Sequence, residues 1–140
     1  MKKRIKWAVL AVVCIVLVIV LIDPGATKPW TWANRLSVED VDTVTLLGDY
    51  GSTQHALTEE EAEELVRQIN RTNRLHFQKN KQLAGPTPTC GIRLSVNGTD
   101  HTLWYYGIFE HRYGEYLWWI RSERFNNFMD SLLEKYDIPS

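Results

Sequence analysis

Eight aromatic residues crowd into one short stretch of this chain: Trp104, Tyr105, Tyr106, Phe109, Tyr113, Tyr116, Trp118 and Trp119. No other set of side chains in it is so suited to holding a ligand, because flat rings stack on other rings and on the apolar faces of sugars. In a β-strand successive side chains face opposite ways. Trp104 and Tyr106 then point one way while Leu103 and Tyr105 point the other, and Tyr116 and Trp118 oppose Leu117 and Trp119. The plainer account is cross-strand aromatic pairing, each pair contributing a few tenths to about 1 kcal/mol to a small sheet. The functional account is a binding face, since exposed apolar patches mark interaction sites. Trp104, Tyr106, Tyr116 and Trp118 are the candidate binding residues.

The other reactive residue types form no recognisable set. His55, His76, His101 and His111 have neither an i+4 partner on a helix nor an HExxH context, so solvated surface histidine is expected and no metal site. Glu110 and His111 are adjacent, which in a strand turns them to opposite faces. Cys90 follows Pro88 with no histidine nearby to activate a thiolate. Glu59 to Glu64 holds five acids in six positions; a helix start with a solvated face explains them without calcium. P-loop, dinucleotide fingerprint and nucleophile elbow are all missing from the sequence. The reading is no catalytic residue, no cofactor and no enzyme. Two sequons, Asn70-Arg71-Thr72 and Asn97-Gly98-Thr99, fall in a predicted helix and a tight turn and read as coincidental.

The elements that must position these residues follow from local patterns. Val41 to Leu47 is a β-branched run ending at Gly48-Asp49-Tyr50-Gly51, a strand and a turn. Thr58 three residues before Glu61 is a capping box, and Ala62, Leu65, Val66 and Ile69 repeat at helical spacing. That predicts a helix from Glu59 to about Thr72. Strands are expected over Leu75–Gln78, Ile92–Val96, His101–Phe109 and Tyr116–Ile120, with Asn97-Gly98 as a hairpin turn that needs two positive φ angles. Ser122 can cap a last helix with Phe125, Phe128, Met129, Leu132, Leu133 and Tyr136 on its apolar face. The order β-α-β-β-β-β-α, with tight turns between strands, predicts an α+β domain: a mostly antiparallel sheet of about five strands with two helices on one face.

The N-terminus sets where that domain works. Trp7 to Ile22 is sixteen uninterrupted apolar residues, preceded by Lys2, Lys3, Arg4 and Lys6 and followed by Asp23. With Ile5 and a snorkelling Lys6 the stretch reaches eighteen residues, about 27 Å as a helix against a hydrocarbon core of about 30 Å. The cluster of cations keeps the N-terminus cytoplasmic and places the remainder outside. Trp30 and Trp32 are then available to rest at the outer interface. A cleaved signal peptide is the nearest alternative, but the run exceeds the usual apolar region and no small-x-small site follows. Lipidation at Cys14 would need a small residue before it and a polar one after; Val13 and Ile15 are neither. A buried core helix would show a polar face. The reading is a retained signal-anchor: residues 1–22 as basic tip and transmembrane helix, 23–34 as a stalk carrying Pro24, Gly25 and Pro29, and 35–140 as the extracytoplasmic domain.

Of 16 basic and 17 acidic residues, four basic ones precede the span, so the exported part has 12 against 17, a net of −5. Nucleic acid is excluded as an expected partner on that ground. With Cys90 the one cysteine past the anchor, no internal disulfide supports the domain, which fits a bacterial surface better than a secreted eukaryotic setting.

The layout resembles small, uncharacterised surface proteins of Gram-positive bacteria, membrane-anchored or lipid-anchored. The stretches that carry the resemblance are Val41–Leu47, Leu57–Asn70, Cys90–Val96, Leu103–Tyr106 and Tyr116–Ile120. It departs from the lipid-anchored members at Cys14, which has no lipobox, and it implies location and architecture alone. The expected function is a single-pass membrane protein whose outer domain binds a protein partner or cell-wall glycan through an aromatic sheet face. The alternatives are a small envelope hydrolase without a recognisable motif, and an immunity or inhibitor protein that plugs another exported protein.

Overall fold

The computed structural model describes residues 2–22, 32–33, 35–72, 77–80, 88–105, 109–113 and 116–139, with side chains described at 5–19, 21, 32–33, 35–72, 88–105 and 120–139. The N-terminal helix α1 runs Lys2–Ile22, 21 residues and about 31 Å long. Its described side chains are all exposed, the large apolar ones from 46% at Ile19 to 79% at Leu21. They form an unbroken run over 5–19, about 22 Å of helix. Among the described residues no helix is long and apolar enough to cross a membrane. The span expected over Trp7 to Ile22 is therefore not met among them: the unbroken described apolar run, Trp7 to Ile19, is about 20 Å of helix against about 30 Å of hydrocarbon.

The rest is α+β. The strands are β1 (Val41–Gly48), β2 (Thr53–Ala56), β3 (Phe77–Asn80), β4 (Cys90–Val96), β5 (Thr99–Tyr105), β6 (Phe109–Tyr113) and β7 (Tyr116–Ile120), and the helices are α2 (Glu59–Arg71) and α3 (Glu123–Lys135). Four strands whose side chains are described form an antiparallel sheet in the order β2-β1-β4-β5. The antiparallel backbone ladder continues through β6, β7 and β3 to seven strands.

Local sequence explains most of these elements. The Thr58 hydroxyl accepts from the Glu61 N–H at 3.3 Å, while a Glu61 carboxylate oxygen accepts from the Thr58 N–H at 2.8 Å. Two of the orphan donors at the start of α2 are thereby satisfied. Asn97 (φ 49°) and Gly98 (φ 76°) form the two-residue turn that their types predict. Val96 then pairs with Thr99, and the hairpin runs in register to Cys90 and Tyr105. Its tip is fastened by the Gly98 N–H, which donates to the Asp42 carboxylate at 2.8 Å. Ser122 caps α3 by accepting from the Phe125 N–H.

Period-two burial in the sheet meets the helical stripes in one core. Val44, Leu46, Cys90, Ile92, Leu94, Leu103 and Tyr105 of the sheet pack with Leu65, Val66 and Ile69 of α2 and Phe125, Met129, Leu132 and Leu133 of α3. Both helices thus cover the same face, as their apolar stripes require.

The departures from expectation are instructive. Strand β2 escapes the pattern because Thr53-Gln54-His55-Ala56 has no apolar alternation; among the described residues it is an edge strand, paired with β1 alone. The single strand expected over 101–109 is two strands, β5 ending at Tyr105 and β6 starting at Phe109, with Gly107 in the sequence between them. The strand expected at 75–78 is found at Phe77–Asn80. Most of the stalk at 23–34 lies outside the described residues, but Trp32 and Ala33 do not behave as stalk. Ala33 and Leu36 are buried in the core and Trp32 packs against it. The Asn70 side chain holds this segment, accepting from the Leu36 N–H at 3.1 Å and donating to the Leu36 carbonyl at 2.6 Å. That pairing spans 34 residues of sequence and also accounts for the first sequon as a structural asparagine.

Candidate functional site

The sheet face turned away from the helices carries the candidate site. Consecutive pairings Gln54–Leu47–Gly91–Trp104–Glu110–Trp119–Gln78 make one row across all seven strands. Residues directly opposite in a ladder share a face. Their neighbours in sequence, Leu46, Ile92, Leu103, Tyr105 and Ile120, lie in the helix-side core, so this row lies on the other side.

Trp104 is half-buried there. Its Cε3 lies 3.1 Å from where a Cβ on Gly91 would be, and its Cη2 lies 4.0 Å from the corresponding point on Gly51. The indole therefore reaches across β4 toward the β1–β2 turn, and a glycine at position 91 gives it room. Leu47, two strands from Trp104, is fully buried yet stands outside the helix-side cluster. This face has an apolar patch of its own, bordered by Gln54, Thr45, Arg93 and Thr102.

The four candidate binding residues are not all on that patch. Tyr106 lies outside the described residues. Tyr116 pairs with Tyr113, and Trp118 pairs with His111 and Lys79. Both positions alternate in step with Ile120, which is buried in the core, so the register places them on the helix side. Trp119, by contrast, shares the row of Trp104. Strand parity alone could not relate β5 to β7, because a one-residue difference in register exchanges the faces.

A second polar assembly joins the start of α2 to the end of α3. Glu61 accepts from Lys135 Nζ at 2.6 Å and from the Tyr136 hydroxyl at 2.9 Å, besides its bonds to Thr58. Burial raises the pKa of this carboxyl, but the Lys135 ammonium and the Thr58 and Tyr136 donors outweigh it and bring it down to about 2. The bond to Glu61 raises the pKa of Lys135 and that of the Tyr136 phenol. A carboxylate held so firmly in its charged form is a clasp rather than a proton donor near neutral pH. The Tyr136 ring also packs on His55 of β2, centroids 5.1 Å apart.

His101 stacks on Trp32, centroids 4.5 Å apart and planes 15° from parallel. Burial lowers its pKa, against a raising effect from Asp100. His55 and His101, the histidines whose side chains are described, are thus half-buried on aromatic rings, where solvated surface positions were expected, and Trp32 packs on the domain core. The β5–β6 pairs Trp104–Glu110 and Tyr105–Phe109 do not set His101 opposite His111. Cys90 is buried, its Sγ 3.7 Å from the Tyr105 carbonyl, and burial pushes its thiol up. The Tyr105 phenol, raised by burial and by Asp130, donates to that carboxylate at 2.7 Å. Among the described residues no group of three or more His, Cys, Asp or Glu side chains could hold a metal ion. No protein-family model, curated protein or solved structure matches this chain.

Proposed function

We propose that this protein is a membrane-held binding module: α1 keeps it at a membrane with its basic end cytoplasmic, and the α+β domain acts outside. The reading of α1 draws on its surface. From Trp7 to Ile19 α1 is apolar all round and its side chains are exposed, and lipid is the solvent that suits such a surface. The reading of the domain as a binder rests on one observation, the Trp104 indole laid over Gly91 on the sheet face that α2 and α3 leave uncovered. The exposed part of a half-buried ring can stack on a sugar face or a partner's apolar side chain at small entropic cost, because the ring is already held against Gly91.

Capture of cell-envelope components by the full chain, compared with Trp104→Ala and Trp119→Ala, tests this. Trp104→Ala is expected to lose the captured material while keeping its circular-dichroism spectrum, since truncating an aromatic anchor at a binding face costs about 2 kcal/mol or more. Unchanged capture by a folded Trp104→Ala chain would remove the basis for this proposal.

A further inference from the structure

Strand β2 is shorter than the strand it pairs with. Four pairs, from Thr45–Ala56 to Gly48–Thr53, join it to β1. One more bond, from the Leu57 N–H to the Val44 carbonyl at 3.0 Å, extends the contact. The chain then turns into α2 at the Thr58 cap. The first half of β1, Val41 to Thr43, pairs with β4 but has no strand on its other side among the described residues. Between that open edge and the first turns of α2 lies a cleft of about 380 Å³. Val44, Leu57 and Val66 are among its apolar lining, and Val38, 42% exposed, stands at it. Asp42 and Glu59 form its charged margin.

We infer that this cleft receives an extended basic segment of a second protein, one apolar side chain entering between β1 and α2 while flanking lysine or arginine side chains face Asp42 and Glu59. The charge of the margin selects that partner. Neither carboxylate forms an ion pair with a cation among the described residues; Asp42 accepts only the Gly98 N–H. Three acids in the first turn of α2, Glu59, Glu60 and Glu61, offset the positive end of the helix dipole, so a cation is not repelled there. The strand edge selects an extended occupant over a helical one, because it offers backbone groups to a chain laid beside it. The register shift between Val41 and Thr43 disrupts the ladder locally. Few backbone bonds form in consequence, and affinity rests on the inserted side chain and the two charges. This surface is separate from the Trp104 face, so the inference stands or falls independently of that proposal.

The test is fluorescence anisotropy of the detergent-solubilised full chain with a labelled peptide of alternating lysine and valine, against one of alternating glutamate and valine. The lysine peptide is expected to bind and the glutamate peptide not. The Asp42→Asn, Glu59→Gln double variant, which keeps an acceptor for Gly98, should weaken binding about fivefold, as two exposed charge pairs of about 0.5 kcal/mol each imply. Glu59→Gln alone, at an exposed position, serves if the double variant does not fold and should weaken binding about twofold. Val38→Ser should weaken it as well, and Trp104→Ala should leave it unchanged. No binding of the lysine peptide, equal binding of the glutamate peptide, or undiminished binding by the charge variants overturns the inference.

Discussion

Replacing Gly91 with alanine is expected to destabilise the domain by about 2–3 kcal/mol, the usual cost of forcing a methyl group into filled space. The Cβ would sit 2.7 Å from the Leu103 carbonyl oxygen, 3.1 Å from Trp104 Cε3 and 3.2 Å from the Trp104 Cα. Two of these three neighbours are backbone, so the strand pair itself must shift. For a domain of this size the loss corresponds to a fall in melting temperature of roughly 10 °C, measurable by thermal unfolding of the solubilised chain. A second variant separates the causes. If the indole alone were obstructed, Gly91→Ala combined with Trp104→Ala would recover the loss. Because the nearest atom belongs to the Leu103 carbonyl, no recovery is expected. A Gly91→Ala chain within about 0.5 kcal/mol of the parent would show that β4 and β5 are not packed as closely as described.

The second large effect lies at Glu61. Its folded pKa of about 2 is below the ordinary 4.5, so the clasp contributes stability above the unfolded value and loses it as pH falls from about 5 toward 2. Lys135 is 56% exposed while Glu61 is 12% exposed, and solvent weakens the pair accordingly. A contribution of about 1–2 kcal/mol remains after that discount. Glu61→Gln should therefore be less stable than the parent at pH 7 by that amount, with the difference closing as pH approaches 2. Denaturant unfolding of both chains at pH 7, 5 and 3 gives the comparison. A gap that stays constant across this range would mean that the carboxylate charge contributes nothing beyond the shape of the cap.

Both effects bear on what a sequence reveals. The Thr58–Glu61 capping box and the Asn97-Gly98 turn are legible because each is a local arrangement of a few residues with one favourable geometry. The apolar stripes of α2 and α3 are legible for a similar reason, since helical periodicity names the buried face. The distant partners of Glu61 are not legible: Lys135 and Tyr136 lie 74 and 75 residues away. Strand β2 is invisible because an edge strand need not bury alternate residues. Trp32 and Ala33 look like the end of a linker, and long-range contacts make them part of the domain: Ala33 is buried in the core, Trp32 stacks on His101, and the Asn70 amide bonds the adjoining Leu36 through both its atoms.

The aromatic cluster shows the same limit at the candidate site. Alternation within each strand separates Trp104 from Tyr105 and Trp118 from Trp119. It cannot say which member of the second pair joins Trp104. The pairs Trp104–Glu110 and Glu110–Trp119 settle the register and favour position 119. Gly91 offers no sequence signal, since a glycine beside the alternating Ile92, Leu94 and Val96 looks incidental until the indole across it is seen.

The central claim is that an all-round apolar helix holds an outward-facing binding domain at a membrane, and topology tests it most directly. Cells producing the full chain with a C-terminal tag are fractionated, the membranes are washed with alkaline carbonate, and intact spheroplasts are treated with protease. The full-length chain should stay in the washed membranes, and protease should remove the tag from intact spheroplasts. A soluble secreted form beginning near Thr27, or a tag that survives protease until the spheroplasts are lysed, would contradict the claim.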